Sequence, residues 1–309
     1  MNITVEGDLE DFLGINIQKK IDGTIELTQP HLIDSIIEDL KLNDDLVKTK
    51  DTPAASSKLL SRHSDSEPFD NSFNYKSVIG KLGYLDKGSR SNISYITHQC
   101  ARFSINPKAE HGRALKWVGR YLKGTRNKGT IIKPDKSRGL EVHVDADFAG
   151  NWDPNKTQDR DTACSRHGYV ISYMGCPILW KSQLQGEISL SSTESEYNGL
   201  SYALQDAIPI MELLKEMKQR GFAIAHTKAQ MHCRVFEDNS GAVEIARVDK
   251  YCPQTKHLNC KLHHFRSYVD DKKEISIHHI RTDNQCADML TKPNDVETLQ
   301  RHRKTIMGW

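Results

Sequence analysis

The sequence predicts an α/β protein in which a mixed sheet flanked by helices follows a mainly helical region with a short β-hairpin. Three observations support this prediction. Residues 141–181 contain three short runs rich in aromatic and β-branched residues, and a tight turn separates the second from the third. From residue 192 onwards, helix-like and strand-like segments alternate. Before residue 140, three helix-like segments follow a single hairpin pattern. Strand runs followed by alternation predict antiparallel and parallel neighbours in one sheet.

Length and composition indicate an intracellular protein without a membrane partner. The 309 residues suffice for two domains, each with its own core. No apolar run approaches the roughly 20 residues that span a bilayer, and the first residues lack the pattern of a signal peptide. The seven cysteines are scattered without CxxC pairs, which favours free thiols in a reducing compartment.

The charges are distributed unevenly along the chain. Residues 1–50 carry eleven Asp and Glu against five Lys, whereas residues 101–140 carry eleven Lys and Arg against two acidic residues. Such a basic block favours an anionic partner, with a solvated basic helix as the alternative.

The first 139 residues predict a hairpin and then helices. Two apolar strands in residues 12–27 flank an Asp22-Gly23 turn, and Pro30 suits the first turn of a helix. Residues 49–72 have the composition of an exposed linker. Helices are predicted near residues 75–85, 92–103 and 106–124.

The third of these helices is a candidate nucleic-acid-binding element. Asn106 is predicted as its N-cap, with Pro107 at the first helical position. Leu115, Val118 and Leu122 form an apolar stripe. The other face carries the four candidate phosphate-binding residues Arg113, Lys116, Arg120 and Lys123.

Two acidic residues lie on the first strand of the C-terminal half. In residues 141–150, Val142, Val144 and Ala146 alternate with His143, Asp145 and Asp147, so both aspartates share one face. Burying carboxylates costs several kcal/mol unless a cation compensates, which makes this strand a candidate metal site. The alternation alone does not distinguish Asp145 from Asp147.

The helix predicted near residues 192–216 supplies a glutamate. Ser191 and Glu194 have the spacing of a capping box, whereas Glu196 shares the sheet-facing side with Leu200 and Ala203. The alternative is a Glu at the solvent edge of an amphipathic helix.

Two further aspartates complete a possible set. Asp238 ends the strand predicted at residues 231–237 and suits equally a ligand or the N-cap of the short helix that follows. Asp288 is predicted in a last helix that starts at Asn284. A helix near 258–269 and a strand at 274–280 lie between them. Four converging carboxylates would require divalent cations, and two Mg²⁺ ions could activate a water molecule for phosphodiester hydrolysis.

Eight segments of the chain resemble the C-terminal part of Ty1/copia-type retrotransposon polyproteins. They are FLGI (12–15), GKLGYL (80–85), RYLKGT (120–125), DADFAG (145–150), LSSTESEY (190–197), DNSGA (238–242), TKH (255–257) and ADMLTKP (287–293). The resemblance implies a C-terminal remnant of the reverse transcriptase palm at 1–50 and a helical thumb or connection region with a linker at 51–139. It also implies a ribonuclease H-like domain with a mixed five-stranded sheet at 140–309.

The resemblance further implies a metal-dependent site and its ligands. The family order of acids maps onto Asp145, Glu196, Asp238 and Asp288, with two Mg²⁺ ions, or Mn²⁺, as cofactor. Asp145 would bridge both ions, Glu196 and Asp238 would hold the second, and Asp288 would help hold the one that activates water. Asp147 becomes a supporting residue. The implied partners are an RNA–DNA hybrid, other nucleic acid and an intact reverse transcriptase chain, in a cytoplasmic virus-like particle or in the nucleus.

Some features depart from the family or imitate it. The polymerase aspartates are not in this sequence, and residues 281–286 lack the His that many ribonucleases H carry there, unless His278 or His279 takes that role. Tyr268-Val269-Asp270-Asp271 copies the polymerase string, but its apolar spacing predicts a helix end. Cys252, His257 and Cys260 do not match zinc-ligand spacing.

We therefore predict an endoribonuclease that cuts the RNA strand of hybrids and leaves a 3′ hydroxyl. The alternative is an inactive nucleic-acid-binding remnant of the same polyprotein. An integrase of the same fold is disfavoured because its acids run Asp, Asp, Glu.

Overall fold

The computed structural model describes residues 10–55, 60–62, 65–156, 160–224, 231–247 and 264–309. The chain forms two compact units. One consists of Met1–Ala55, Ser66–Lys133 and Met307–Trp309, and the other of Ser56–Asp65 and Pro134–Ile306. The assignment of residues 1–50 and 51–139 to palm and connection regions stays a prediction.

The first unit combines a small antiparallel sheet with four helices. The strands pair in the order β1-β2-β3-β4, and the hairpin predicted at residues 12–27 is formed by β2 and β3. Ile33, Leu82 and Leu115 lie in its core without exposed surface. The elements are β1 (Asp11–Phe12), β2 (Ile15–Lys19), β3 (Ile25–Thr28), α1 (Pro30–Asp39), α2 (Tyr75–Ser89), α3 (Ser94–Ala101), α4 (Ala109–Gly124) and β4 (Thr130–Ile132).

The prediction that Asn106 caps α4 was wrong. The helix begins at Ala109, with Lys108 as the N-cap, and Nδ1 of His111 accepts a hydrogen bond from the Lys108 N–H at 2.9 Å. The preceding residues are extended because Pro107 and Ala109 exchange backbone hydrogen bonds with the 67–69 segment. That pairing keeps Asn106 and Pro107 out of the helix.

The second unit contains the mixed five-stranded sheet. Its strands are β5 (Leu140–Asp147), β6 (Arg166–Tyr173), β7 (Cys176–Leu184), β8 (Cys233–Glu237) and β9 (Ile275–His279). They are ordered β7-β6-β5-β8-β9, with β5, β6 and β7 antiparallel and β8 and β9 parallel to β5. The helices are α5 (Arg160–Ala163), α6 (Ser192–Gln219), α7 (Ser240–Arg247), α8 (residues 264–269 in the described part) and α9 (Val296–Met307). This is the ribonuclease H-like α/β fold that the resemblance implied.

The helix predicted from Asn284 is absent, and two 3₁₀ turns replace it. They cover Thr282–Asn284 and Cys286–Leu290, so Asp288 lies in a tight turn. The Gln285 side chain explains the interruption, because its amide donates to the carbonyl oxygens of Val144 at 2.7 Å and Phe236 at 3.2 Å. The last α-helix starts only after Pro293.

The string that imitates a polymerase site lies at a helix end, as predicted. Residues 264–269 are helical, Tyr268 and Val269 pack against the core, and Asp270 donates its N–H to the carbonyl of Arg266. Leu258, Cys252, His257 and Cys260 lie outside the described residues.

The five cysteines in the described ranges are buried and free of disulfides. No helix within those ranges is both long and apolar enough to cross a membrane.

Candidate metal centre

Asp145 and Asp238 come to the same edge of the sheet because β5 and β8 run parallel. His143 pairs with Phe236, so two residues further along each strand Asp145 is level with Asp238. Asp145 is buried on the central strand, and Asp238 is half-buried directly after β8. The N-cap of α7 is Asn239, whose Oδ1 accepts from the Ala242 N–H at 3.0 Å. Asp238 is therefore not required for capping.

Glu196 reaches the same edge from α6. Ser191 caps this helix by accepting from the Glu194 N–H at 3.1 Å, while the Glu194 carboxylate accepts from the Leu190 N–H at 2.8 Å. Helix α6 packs directly on β5 at Gly199, where a Cβ would make an ordinary contact with Val144 at 3.5 Å. Glu196 is only 7% exposed, which excludes the solvent-edge alternative.

The three carboxylates form one cluster. One oxygen each of Asp145, Glu196 and Asp238 lies within 4.8 Å of the other two. Oε2 of Glu196 is buried and has no hydrogen-bond partner among the described residues. An all-oxygen, anionic donor set suits a hard cation such as Mg²⁺. The unsatisfied oxygen indicates that the cluster is built for a positive group, so a divalent metal fits.

Asp288 lies on the turn beside Asp145 and outside that group of three. Gly168, which pairs with Asp145 across β5 and β6, makes the approach possible. A Cβ at Gly168 would lie 2.6 Å from the Leu290 Cβ and 3.1 Å from the Leu290 carbonyl carbon. Only glycine leaves room for the turn, which then continues to Thr291, whose hydroxyl donates to Oδ2 of Asp145.

Two further side chains hold Asp288 in place. Nζ of Lys292 forms an ion pair with its Oδ1 at 2.5 Å, and Nδ2 of Asn294 donates to its Oδ2 at 2.8 Å. Burial alone would lower the pKa of Lys292, but Asp288, Asp145 and Asp147 raise it. Lys292 is thus a charged ammonium next to three acids.

Burial and mutual repulsion disfavour ionisation of the acids. Burial, followed by repulsion from Asp288, raises the pKa of Asp145 from 3.8 to about 7. Burial, then Glu237, Asp145 and Asp238, raise the pKa of Glu196 well above its ordinary value. A cation would remove this cost and bring both groups into the ionised form.

Comparison with curated proteins finds relatives over most of the chain. The chain is 31% identical over 286 residues to the retrovirus-related Pol polyprotein from transposon RE1 of Arabidopsis thaliana. This alignment covers 93% of the chain and 18% of the relative. It is 30% identical over 299 residues to the corresponding RE2 polyprotein, with 97% and 19% covered. These relatives are Ty1/copia-type Pol polyproteins from transposons, and their similarity over most of the chain is consistent with a fragment of a retrotransposon polyprotein. The chain spans about a fifth of the length of those relatives.

No family model matches this chain. Among solved structures, a ribonuclease H1 isolated from compost is similar over 53% of this chain and 97% of its own, with 19% identity and a TM-score of 0.35.

The other residues predicted to support the site lie in three different environments. Asp147 is half-buried and lies against the Gly150 backbone, where a Cβ would be 1.6 Å from its Oδ2. Nε2 of His279 donates to the carbonyl oxygen of Asp238 at 3.0 Å, whereas His278 hydrogen-bonds with Ser276. Of the two histidines, His279 is the one placed beside a predicted ligand.

Sequence reasoning missed several residues around the acids. Glu237 is buried on the core side of β8, and strand alternation with Cys233 and Val235 could have placed it there. Lys292 lies four residues after Asp288, but no periodic pattern in this irregular turn indicates its ion pair. His302 on α9 is buried; burial lowers its pKa, while Asp288 raises it.

The basic residues of α4 lie in different environments. Arg113 is exposed, while Lys116 and Arg120 are half-buried. Nζ of Lys123 donates to the carbonyl oxygens of Leu42 at 3.0 Å and Asp44 at 2.6 Å. Lys123 therefore binds the backbone of the segment that follows α1, besides any contact that it makes with phosphate.

Proposed function

We propose that this chain is a ribonuclease H that hydrolyses the RNA strand of RNA–DNA hybrids by a two-metal mechanism. The observation that supports it most is the cluster of Asp145, Glu196 and Asp238 with its unsatisfied buried oxygen. In the proposal, Asp145, Glu196, Asp238 and Asp288 hold two Mg²⁺ ions, for which Mn²⁺ can substitute. The ions supply an activated water molecule and stabilise the leaving oxygen of the phosphodiester.

The protein's own groups prepare this chemistry. The Thr291 hydroxyl donates to Oδ2 of Asp145 and fixes this oxygen, so that the other oxygen is available to a cation. Lys292 and Asn294 orient Asp288. The Lys292 ammonium also reduces repulsion around Asp145 before a cation is bound. His279 is the candidate for assisting product release, since it is exposed and contacts the backbone of Asp238.

Substrate binding depends on charge in this proposal. Arg113, Lys116, Arg120 and Lys123 of α4 contact phosphates, so affinity for a hybrid or for other nucleic acid falls steeply as salt increases. The chain acts together with an intact reverse transcriptase, in a cytoplasmic virus-like particle or in the nucleus.

The test uses a hybrid whose RNA strand is labelled at its 5′ end. With Mg²⁺, the chain should shorten the RNA to products with a 3′ hydroxyl, leave the DNA strand intact, and lose activity in EDTA. Double-stranded DNA of the same sequence is the matched control. Binding of the hybrid without cleavage would contradict the proposal and indicate a non-catalytic remnant.

A further inference from the structure

Glu237 is a fully buried acid at the end of β8. Its side chain alternates with Cys233 and Val235, which lie in the core against α6, and its exposed fraction is 0%. Acids are almost never fully buried unless a partner compensates their charge. Its position therefore requires an explanation beyond packing.

Hydrogen bonding satisfies only half of this carboxyl group. Oε1 of Glu237 accepts the Asn239 N–H at 3.0 Å, whereas Oε2 is buried without a hydrogen-bond partner among the described residues. Helix α7 does not require Glu237 as a cap, because Asn239 already accepts from Ala242. One oxygen is thus left without a structural task.

The strand register places Glu237 next to the acids of the metal centre. One residue beyond the His143–Phe236 pair, Glu237 is level with Val144, which packs against α6 at Gly199, three residues after Glu196. Its pKa is raised, first by burial and then by Asp145 and Asp238, against the lowering effect of the Asn239 N–H. After burial, Glu237 is the largest cause of the raised pKa of Glu196. Oε2 of Glu196 is also buried without a partner. Two acids with unsatisfied oxygens therefore influence each other at one end of the sheet.

A positive group between such acids would compensate both. Leaving a buried polar atom unsatisfied destabilises the folded state, and more so for a charged group. Lys292 acts on Asp288, Asp145 and Asp147, and the two aspartates of β5 lie on the face opposite the core residues Val142 and Val144. A cation held by the cluster of three acids would act on both unsatisfied oxygens at once.

We propose that Glu237 is a fifth carboxylate of the metal centre and that, together with Glu196, it helps to hold a divalent cation. The inference rests on the proposed function, since it assigns a further residue to the same site. It distinguishes this chain from the four-acid set that the resemblance implies.

Calorimetric titration with Mn²⁺ at pH 8 tests the proposal without relying on activity. Glu237→Gln keeps the size of the side chain and removes the charge. The matched control is Glu244→Gln, an exposed glutamate on α7. We expect Glu237→Gln to weaken Mn²⁺ binding about tenfold or more, as is typical when a group supporting metal ligands is lost. Glu244→Gln should bind like the wild type.

A second measurement separates loss of binding from loss of folding. Without metal, Glu237→Gln should melt close to the wild-type temperature, because glutamine keeps the size of the side chain and can still accept the Asn239 N–H. Its increase in melting temperature on adding Mn²⁺ should be smaller than that of the wild type. Mn²⁺ affinity equal to the wild type would overturn the proposal and assign Glu237 as a buried neutral acid.

The outcome is independent of the hybrid assay. If Mn²⁺ binding depends on Glu237 but the wild type does not cut hybrids, this inference stands and the proposed function fails. If the wild type cuts hybrids and Glu237→Gln binds Mn²⁺ normally, only this inference fails. A wild type that binds no Mn²⁺ would overturn both.

Discussion

Replacing Asp145 by Asn should stabilise the metal-free protein at high pH. Asp145 is 4% exposed, and its pKa is raised from 3.8 to about 7. A carboxyl group whose pKa is higher in the folded state holds a proton that the unfolded chain releases. Its contribution to stability is fully present below pH 3.8 and is lost progressively as the pH rises to about 7.

The size of the effect follows from that shift. Each pH unit between the two pKa values costs about 1.4 kcal/mol, so Asp145 lowers wild-type stability by about 3 kcal/mol between pH 5 and pH 8. Asp145→Asn lacks this titration but can still accept the Thr291 hydrogen bond. Between pH 5 and pH 8, the metal-free stability of this variant should therefore fall by about 3 kcal/mol less than that of the wild type.

Stability is measured by urea unfolding in EDTA at pH 5 and pH 8, and hydrogen exchange of the β5 amides is the readout. Those amides report on the unit that contains the acids. Adding Mg²⁺ at pH 8 should stabilise the wild type and leave Asp145→Asn nearly unchanged. A variant that loses as much stability as the wild type between pH 5 and pH 8 would refute this reasoning.

Three further predictions concern the surroundings of the acids and α4. Gly168→Ala places a Cβ 2.6 Å from Leu290 and should displace the turn, lowering Mn²⁺ affinity and hybrid cleavage while circular dichroism stays normal; wild-type affinity would contradict this. Lys292→Met removes a cation beside the site while Asn294 still holds Asp288, so calorimetry should show Mn²⁺ bound several-fold more tightly, and weaker binding would contradict it. Arg113→Ala should reduce the salt dependence of hybrid binding by about one ion at unchanged melting temperature. Lys123→Ala should instead lower the melting temperature, because it loses two backbone contacts; equal effects of both substitutions would argue against this distinction.

The regular parts of the fold could be predicted from the sequence. Period-2 alternation placed β5 correctly, and the tight turn after β6 predicted the antiparallel pairing of β6 and β7. The parallel pairing of β5 with β8 then places Asp145 level with Asp238. No local sequence pattern indicates this pairing. Their meeting is a consequence of topology.

The irregular parts could not be predicted in this way. Asp288 was expected on an α-helix, but the Gln285 amide binds two strand carbonyls and holds the chain in 3₁₀ turns. The start of α4 was misplaced because residues 107–109 pair with a segment forty residues earlier. In each case a long-range hydrogen bond overrode a local signal.

The most direct test of the central claim compares Asp145→Asn with Asp147→Asn on the labelled hybrid in Mg²⁺. Asp145 belongs to the cluster of three acids, whereas Asp147 packs against Gly150. The proposed site predicts that Asp145→Asn lowers the cleavage rate at least about 100-fold and that Asp147→Asn has a much smaller effect. Hybrid cleavage that survives in Asp145→Asn, or is lost only in Asp147→Asn, would contradict the assignment.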